Sequence, residues 1–319
     1  MKSTRILILT SLAMIAFASN SLLCRAALRQ TRIDPATFTL VRILSGAAAL
    51  WLIIQIRGKL MVDRTASLLV ERYSDSPATS KPREGGSLQE SGSWLSALAL
   101  FGYAAAFSFA YVDLSAGTGA LLLFGAVQAT MIFWGWRNGE KLDALQVVGL
   151  VVAMTGLVVL VFPGISAPPI GGSILMIGAG VAWGIYSVRG KGENNPARAT
   201  AENFLRAVPF VAAVSLIMIT RMRFDPLGFT YAVISGAITS GLGYVIWYSA
   251  LSGLKAAFAA TVQLSVPVLA ATGGILLLGE PVTLRYVFAS IAVLGGIALV
   301  AIEKNYSGKA NDTVSLAAR

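Results

Sequence analysis

Residues 116–136 read AGTGALLLFGAVQATMIFWGW, an uncharged run bounded by Asp113 before it and Arg137 after it. A helix rising 1.5 Å per residue crosses about 30 Å of hydrocarbon in roughly 20 residues, so this run is long enough to span a bilayer. It is continuously apolar and lacks the two-residue alternation of a barrel strand. Working outward, similar runs fall at approximately 6–24, 36–56, 94–113, 144–163, 169–188, 203–220, 227–251, 256–279 and 285–302, which predicts ten transmembrane helices. Composition agrees. Of 319 residues 56% are apolar and 13% charged, with mean hydropathy +0.73, whereas soluble domains carry roughly 25% charged residues. The expected fold class is all-α integral membrane.

The net charge of +10 in a soluble protein would suggest nucleic acid, but here the bases lie between the apolar runs, so no nucleic-acid partner is expected. With the N-terminus inside, 17 of the 25 Lys and Arg fall on the cytoplasmic side and six, Arg25, Arg29, Arg32, Arg221, Arg223 and Arg285, on the other. The positive-inside rule then places both termini in the cytoplasm. Lys2 and Arg5 ahead of an apolar stretch mimic a signal peptide. Leu23 is too large for the position before a lipoprotein cysteine, however, and the stretch is long enough to span, so an uncleaved first helix is expected. Cys24 is the one cysteine and histidine is absent. That excludes an intramolecular disulfide, a multi-cysteine metal cluster and Ser-His-Asp chemistry, and no catalytic residue, metal or cofactor is assigned. Residues 57–93 are rich in Ser and charge and are read as a mobile cytoplasmic loop, a plain linker rather than a regulatory element.

The second half repeats the first. Gly139-Glu140, ending helix 4, matches Gly279-Glu280, ending helix 9, and at the same offset of 140 Gly156 meets Gly296. Helices 2 and 7 carry arginines near their starts, Arg42 in Thr39-Leu40-Val41-Arg42 and Arg206 in Asn203-Phe204-Leu205-Arg206. Tyr111…Leu114-Ser115 and Tyr248…Leu251-Ser252 end helices 3 and 8 alike. A five-span unit is odd-numbered, so its second copy enters from the opposite face. This predicts two inverted-topology five-helix repeats, 1–163 and 164–303, followed by a cytoplasmic tail at 304–319. Such architecture recurs in secondary transport, with substrate near the midplane between the halves.

In these features the sequence resembles the drug/metabolite transporter superfamily, specifically its ten-helix EamA-type permeases. The paired arginines, the two Gly-Glu turns and Ala182-Trp183 in helix 6 carry the resemblance. Two positions depart from it: Val127 stands where a proline equivalent to Pro267 is usual, and Phe17-Ala18 where Trp-Gly is usual. The resemblance implies an inner-membrane carrier, commonly an exporter of amino acids, related metabolites or drugs.

Charges inside spans cost about 2.5–3.5 kcal/mol at the helix centre on insertion scales, so they count as functional candidates. Arg42 and Arg206 are read as structural or gating residues that pair with a helix end or snorkel to the interface. The alternative is that one of them meets a substrate carboxylate. Glu140 and Glu280 are read as interfacial caps for the next helix, with proton coupling as the sharper alternative. Pro267 marks a flexible point in helix 9. The candidate substrate contacts are Gln128 and Gln263 first, then Asn20, Trp183, Tyr186 and Tyr244, since amides in hydrocarbon need partners that a cavity or another helix supplies. Glycines of helices 6, 8, 9 and 10 are read as close-packing points.

The expected function is secondary export of small metabolites such as amino acids by alternating access, with multidrug efflux or a non-transporting scaffold as alternatives. The expected partners are a small-molecule substrate, the lipid bilayer, a proton as candidate coupling ion and a homodimer as candidate assembly. An enzyme is not expected, because no nucleophile, base or ligand set converges within the spans. The sequence has no Walker-type loop, so coupling is expected from a gradient or exchange.

Overall fold

A computed structural model describes residues 2–73, 92–139, 144–164, 167–190, 193, 195–251, 262–263 and 265–299. Ten helices run through them, with no strand among the described residues. They are α1 Lys2–Gln30, α2 Pro35–Tyr73, α3 Trp94–Ala110, α4 Ala116–Arg137, α5 Ala144–Val161, α6 Ile170–Gly190 and α7 Pro196–Ile217. Next comes α8, which is α-helical over Pro226–Ile234, π-helical over Ser235–Leu242 and α-helical again over Gly243–Leu251. The last two are α9 Ser265–Leu278 and α10 Leu284–Leu299. Seven of the ten are long and apolar enough to cross a membrane, while α3, α9 and α10 are shorter apolar helices.

Local chemistry fixes several helix starts. Asp34, Asn195 and Asp225 each precede a proline at the first helical position, where a missing N–H costs nothing. The Asp34 carboxylate accepts from Ala36 and Thr37 N–H at 3.0 Å each, and Asn195 Oδ1 accepts from Arg198 N–H at 3.2 Å. Helix ends are as explicit. Gly139 after α4 and Gly279 after α9 have φ of 88° and 63°, the left-handed stop that glycine adopts without strain. This is why a Gly-Glu pair recurs at both places.

Two elements run further than the sequence suggests. α1 continues past residue 24 to Gln30 and takes Arg25 into the fold, so Arg25 is not a loop residue. α2 continues to Tyr73, through part of the segment read as a loop from residue 57. The extension contains Lys59, Leu60, Met61, Arg64, Ala66, Leu68, Leu69, Glu71 and Arg72, all good helix formers, and a helix already nucleated in the membrane extends cheaply through them. Residues 74–91, Glu140 and the tail at 304–319 lie outside the described residues.

The packing repeats with the chain. α1 lies on α8 and α9, and α6, its equivalent five helices on, lies on α3 and α4. α2 packs on α7 and α4 on α9, each against its own counterpart, and the α2–α8 contact is matched by α3–α7. These contacts cross between repeats, so the halves interdigitate around one shared core rather than forming two lobes. α5 and α10 flank it and meet through glycine: a Cβ on Gly156 would stand 2.8 Å from Ala292 Cβ. Large apolar side chains such as Val158, Ile174, Leu276, Leu284 and Phe288 point outward at 59–76% exposure, the inverse of a soluble surface, which fits a lipid solvent. Gly178 and Gly295, read as packing points, have nothing within 4 Å of a built Cβ. Gly180, 2.5 Å from the Leu123 carbonyl by the same measure, does pack closely.

At the end of the fold away from the N-terminus, the α1–α2 and α7–α8 connections clasp each other. Asp34 accepts from Arg223 N–H at 2.7 Å, and Asp225 accepts from Arg32 N–H at 3.4 Å while capping α8 through Leu227 and Gly228 N–H. The Gly228 N–H above all holds the Asp225 carboxyl below its usual range. A depressed folded-state value adds stability that is present above the ordinary aspartate range and is lost as pH falls through the depressed one. Asp225→Asn is therefore expected to lower thermal stability modestly at pH 7. The gap to wild type should close in strong acid, as checked by melting curves in detergent across pH.

Candidate functional site

Between the halves, Phe17, Asn20 and Ser21 of α1, Tyr103 and Phe107 of α3, Leu123 and Phe124 of α4, Trp183 of α6 and Tyr244 of α8 enclose a cavity of about 20 Å³. That volume is room for about one water. Both repeats contribute to the wall. The rings are mutually packed: Trp183 lies 4.8 Å from Tyr103 and 4.9 Å from Tyr244 between centroids, and Phe17 meets Trp183, Tyr244 and Trp247 edge-on at 5.9–6.4 Å. Offset and edge contacts of this kind rigidify an apolar wall beyond simple area burial.

One hydrogen-bonded network lies behind the cavity and joins its wall through Asn20 and Tyr103. Asn20 Nδ2 donates to Tyr103 Oη at 3.2 Å, and Asn20 Oδ1 accepts from Ser235 Oγ at 2.6 Å and Thr239 Oγ1 at 3.2 Å. Arg42 donates from Nη2 to the same Tyr103 Oη at 2.9 Å and from Nε to Ser240 Oγ at 3.2 Å. Ser235, Thr239 and Ser240 belong to the π-helical segment of α8. The wider turn there redistributes side chains around the axis and brings three hydroxyls toward α1 and α2. Insertions of this kind concentrate at functional sites. The segment sits on α2 backbone to backbone: a Cβ on Gly236 would collide with the Arg42 carbonyl and Ser45 Oγ, and one on Gly241 would stand 3.3 Å from the Gly236 carbonyl and 3.4 Å from that of Gly46.

A second construction closes the end where α1 finishes. Arg25 Nε meets Glu280 Oε1 at 3.0 Å, with side-chain exposures of 9% and 4%. Arg25 Nη1 also donates to the carbonyls of Tyr111 and Val112 at 2.9 and 2.8 Å, at the C-terminal end of α3. Glu280 Oε2 accepts from Ala116 N–H at 2.8 Å, at the start of α4. Glu280 thus caps a helix, but it is α4 of the other repeat rather than α10 next in sequence. Four chain segments, from both repeats, are tied by one buried pair. An open hollow of about 210 Å³, lined by residues that include Asp113, Ser115, Thr118, Glu280 and Tyr286, lies beside it.

Of the candidates read from sequence, Asn20, Trp183 and Tyr244 line the cavity. Tyr186 stacks behind Trp183 at 5.5 Å and borders a smaller polar pocket with Ser96, Arg189 and Asn203. Gln128 is buried on α4 one turn beyond Phe124, outside the cavity wall, and its Nδ-equivalent amide, Nε2, has no hydrogen-bond partner. Gln263 is buried but does not line the cavity. Pro267 is buried within the described part of α9, Ser265–Leu278. Among the described residues a helical irregularity lies in α8. Arg42 does not snorkel, being 1% exposed, whereas Arg206 pairs with Glu202 at 3.6 Å. Tyr103, Phe107 and the hydroxyls of the π segment were not picked out in the sequence. The glycine-flanked Ser235-Gly236…Ser240-Gly241 was the available signal.

Comparison with known proteins accords with this geometry. Residues 170–302, essentially the second repeat, match the EamA-like transporter family. An uncharacterized protein of Pseudomonas aeruginosa is 50% identical over 94% of this chain and 96% of its own length. Two uncharacterized transporters of Archaeoglobus fulgidus are 29% and 26% identical, over 64% and 66% of this chain and 75% and 76% of theirs. A protein of known crystal structure shares the fold with a TM-score of 0.61 at 15% identity, covering 94% of this chain and 98% of that one. The chain is a multi-pass membrane transporter of the EamA-like family, within the drug/metabolite transporter superfamily.

Proposed function

We propose that the chain is a secondary carrier that exports small metabolites such as amino acids across the inner membrane by alternating access, with both termini in the cytoplasm. The observation that carries this reading is the aromatic and polar cavity walled by both repeats, with the buried Arg25–Glu280 pair one helical turn beyond Ser21 along α1. A site of about 20 Å³ must expand to admit a metabolite, and rocking of one set of helices against the other supplies the space. The pair lies at the end away from the N-terminus, hence on the extracytoplasmic side. Its dissociation opens the outward path.

The repeat suggests the reciprocal latch. Arg189 stands 164 residues after Arg25, as Arg206 does after Arg42, and Glu140 stands 140 before Glu280. Arg189 donates to Ser96 and Ser93 hydroxyls at 3.1 and 3.3 Å, while Glu140 lies outside the described residues. The proposed contacts are Asn20, Trp183 and Tyr244, with Tyr186, Gln128 and Gln263 reached as the cavity widens. The aromatic wall also favours a second reading, export of lipophilic amphipaths. Uptake of a radiolabelled amino-acid panel into proteoliposomes, with and without a pH gradient, tests the first. Saturable flux of one amino-acid class is expected; flux confined to lipophilic compounds transfers the assignment to the second.

A further inference from the structure

The two arginines that the repeat places in equivalent positions have different electrostatic surroundings. Arg206 has Glu202 one turn before it. At the matching offset of 164 the first repeat carries Phe38, so Arg42 lacks that acid. Its neighbours are neutral: the hydroxyls of Tyr103 and Ser240, and the rings of Phe107 and Tyr103, which the guanidinium carbon faces at 4.9 and 5.2 Å. Among the described residues no carboxylate lies within ion-pair distance of Arg42, and its Nη1 is buried without a hydrogen-bond partner. A buried cation is ordinarily paired, since removing one from water costs several kcal/mol. Cation–π contact offsets only part of that.

Arg42 is also well placed. Its Nη2 partner, Tyr103, and the ring it faces, Phe107, both form the cavity wall. The guanidinium is held from two sides by Tyr103 and Ser240, with one nitrogen left over. That arrangement fixes the orientation of the guanidinium and leaves Nη1 to donate to an anionic oxygen such as that of a carboxylate. Arg42 does not itself line the cavity but lies directly behind Tyr103 and Phe107 of its wall, so widening past those rings brings an oriented guanidinium to an aromatic enclosure, which suits a molecule with an anionic head and an apolar body.

We propose that Arg42 is the anion-recognition residue of the central cavity, so that the substrate is a small carboxylate, held by its carboxyl group while Phe17, Tyr103, Trp183 and Tyr244 enclose the remainder. The assignment rests on the transport reading but is tested by binding, separately from flux. The probes are benzoate and its neutral near-isostere benzamide, followed by quenching of tryptophan fluorescence in the purified full-length protein. Phenylalanine flux is measured in parallel in proteoliposomes.

Wild type is expected to bind benzoate at least about tenfold more tightly than benzamide, the scale of one charge-assisted hydrogen bond. Arg42→Gln abolishes the preference. Arg42→Lys keeps the charge but loses the fork, and binds benzoate about tenfold more weakly than wild type. Arg206→Gln leaves the preference unchanged. The wild-type comparison needs no variant, so a misfolded Arg42→Gln does not shield the proposal. Equal binding of acid and amide, no benzoate binding at all, or a preference that survives in folded Arg42→Gln overturns it. Carboxylate binding without flux of any panel member upholds the site and removes the exporter reading; flux without acid preference does the reverse.

Discussion

Glu280→Ala is expected to destabilise the protein by about 3–5 kcal/mol, the cost of leaving one charge of a buried pair uncompensated, and Arg25→Ala by less, because Arg29 Nη1 stands 4.0 Å from the Glu280 carboxylate. Arg25 would keep only the carbonyls of Tyr111 and Val112, and Ala116 N–H at the start of α4 would lose its acceptor in the Glu280 variant. The double variant should cost much less than the sum, because residues sharing one interaction are not additive. Glu280→Gln retains an acceptor for Ala116 and should fall between wild type and Glu280→Ala. Denaturant titration in detergent measures all four. If the pair also closes the outward path, the same variants make the cavity more accessible to polar thiol reagents at a cysteine introduced at Ser21, on a Cys24→Ala background. Additive single effects below about 1 kcal/mol, the range of exposed pairs, would show that the pair is not the buried tie described above.

Gly236→Val is expected to prevent folding to a monodisperse protein. The side chain would be driven into the Arg42 carbonyl and Ser45 of α2, and backbone cannot rotate aside as a side chain can. Overpacking typically costs 1–3 kcal/mol even where neighbours yield, and here α2 and the π segment must separate. That movement displaces Arg42, Ser240 and the Asn20 network together. Gly178→Ala, with nothing within 4 Å of its Cβ, is the matched control and should be neutral or slightly stabilising, since alanine is the better helix former. Size-exclusion profiles and melting temperatures decide between them.

The architecture was legible in the sequence because its determinants are local and repeated. Uncharged runs of spanning length set the helices, and Gly139 and Gly279 announced their ends with the left-handed turn only glycine takes freely. The matched arginines gave the repeat. What stayed hidden depends on three-dimensional pairing. Glu280 caps α4 and binds Arg25, 164 and 255 residues away, and no local pattern says which helix an interfacial acid will meet. Arg42 and Arg206 look equivalent in sequence; only the Phe38-for-Glu202 difference, unread there, foretold that one would be paired and the other not. Asn20, Trp183 and Tyr244 were found because polar and aromatic groups inside spans are scarce. Gln128 and Gln263 belong to the same class but lie beyond the wall, since periodicity alone does not show which face of a wholly apolar helix meets the cavity. The π segment has no charge or proline to mark it.

Alternating access is tested most directly by counterflow. Proteoliposomes preloaded with unlabelled neutral amino acids and diluted into trace labelled ones should accumulate label transiently above its equilibrium level, because one cavity that opens to each side in turn exchanges substrate for substrate. Label that rises monotonically to equilibrium at a rate independent of the preload, or no faster than in protein-free vesicles, would contradict the account.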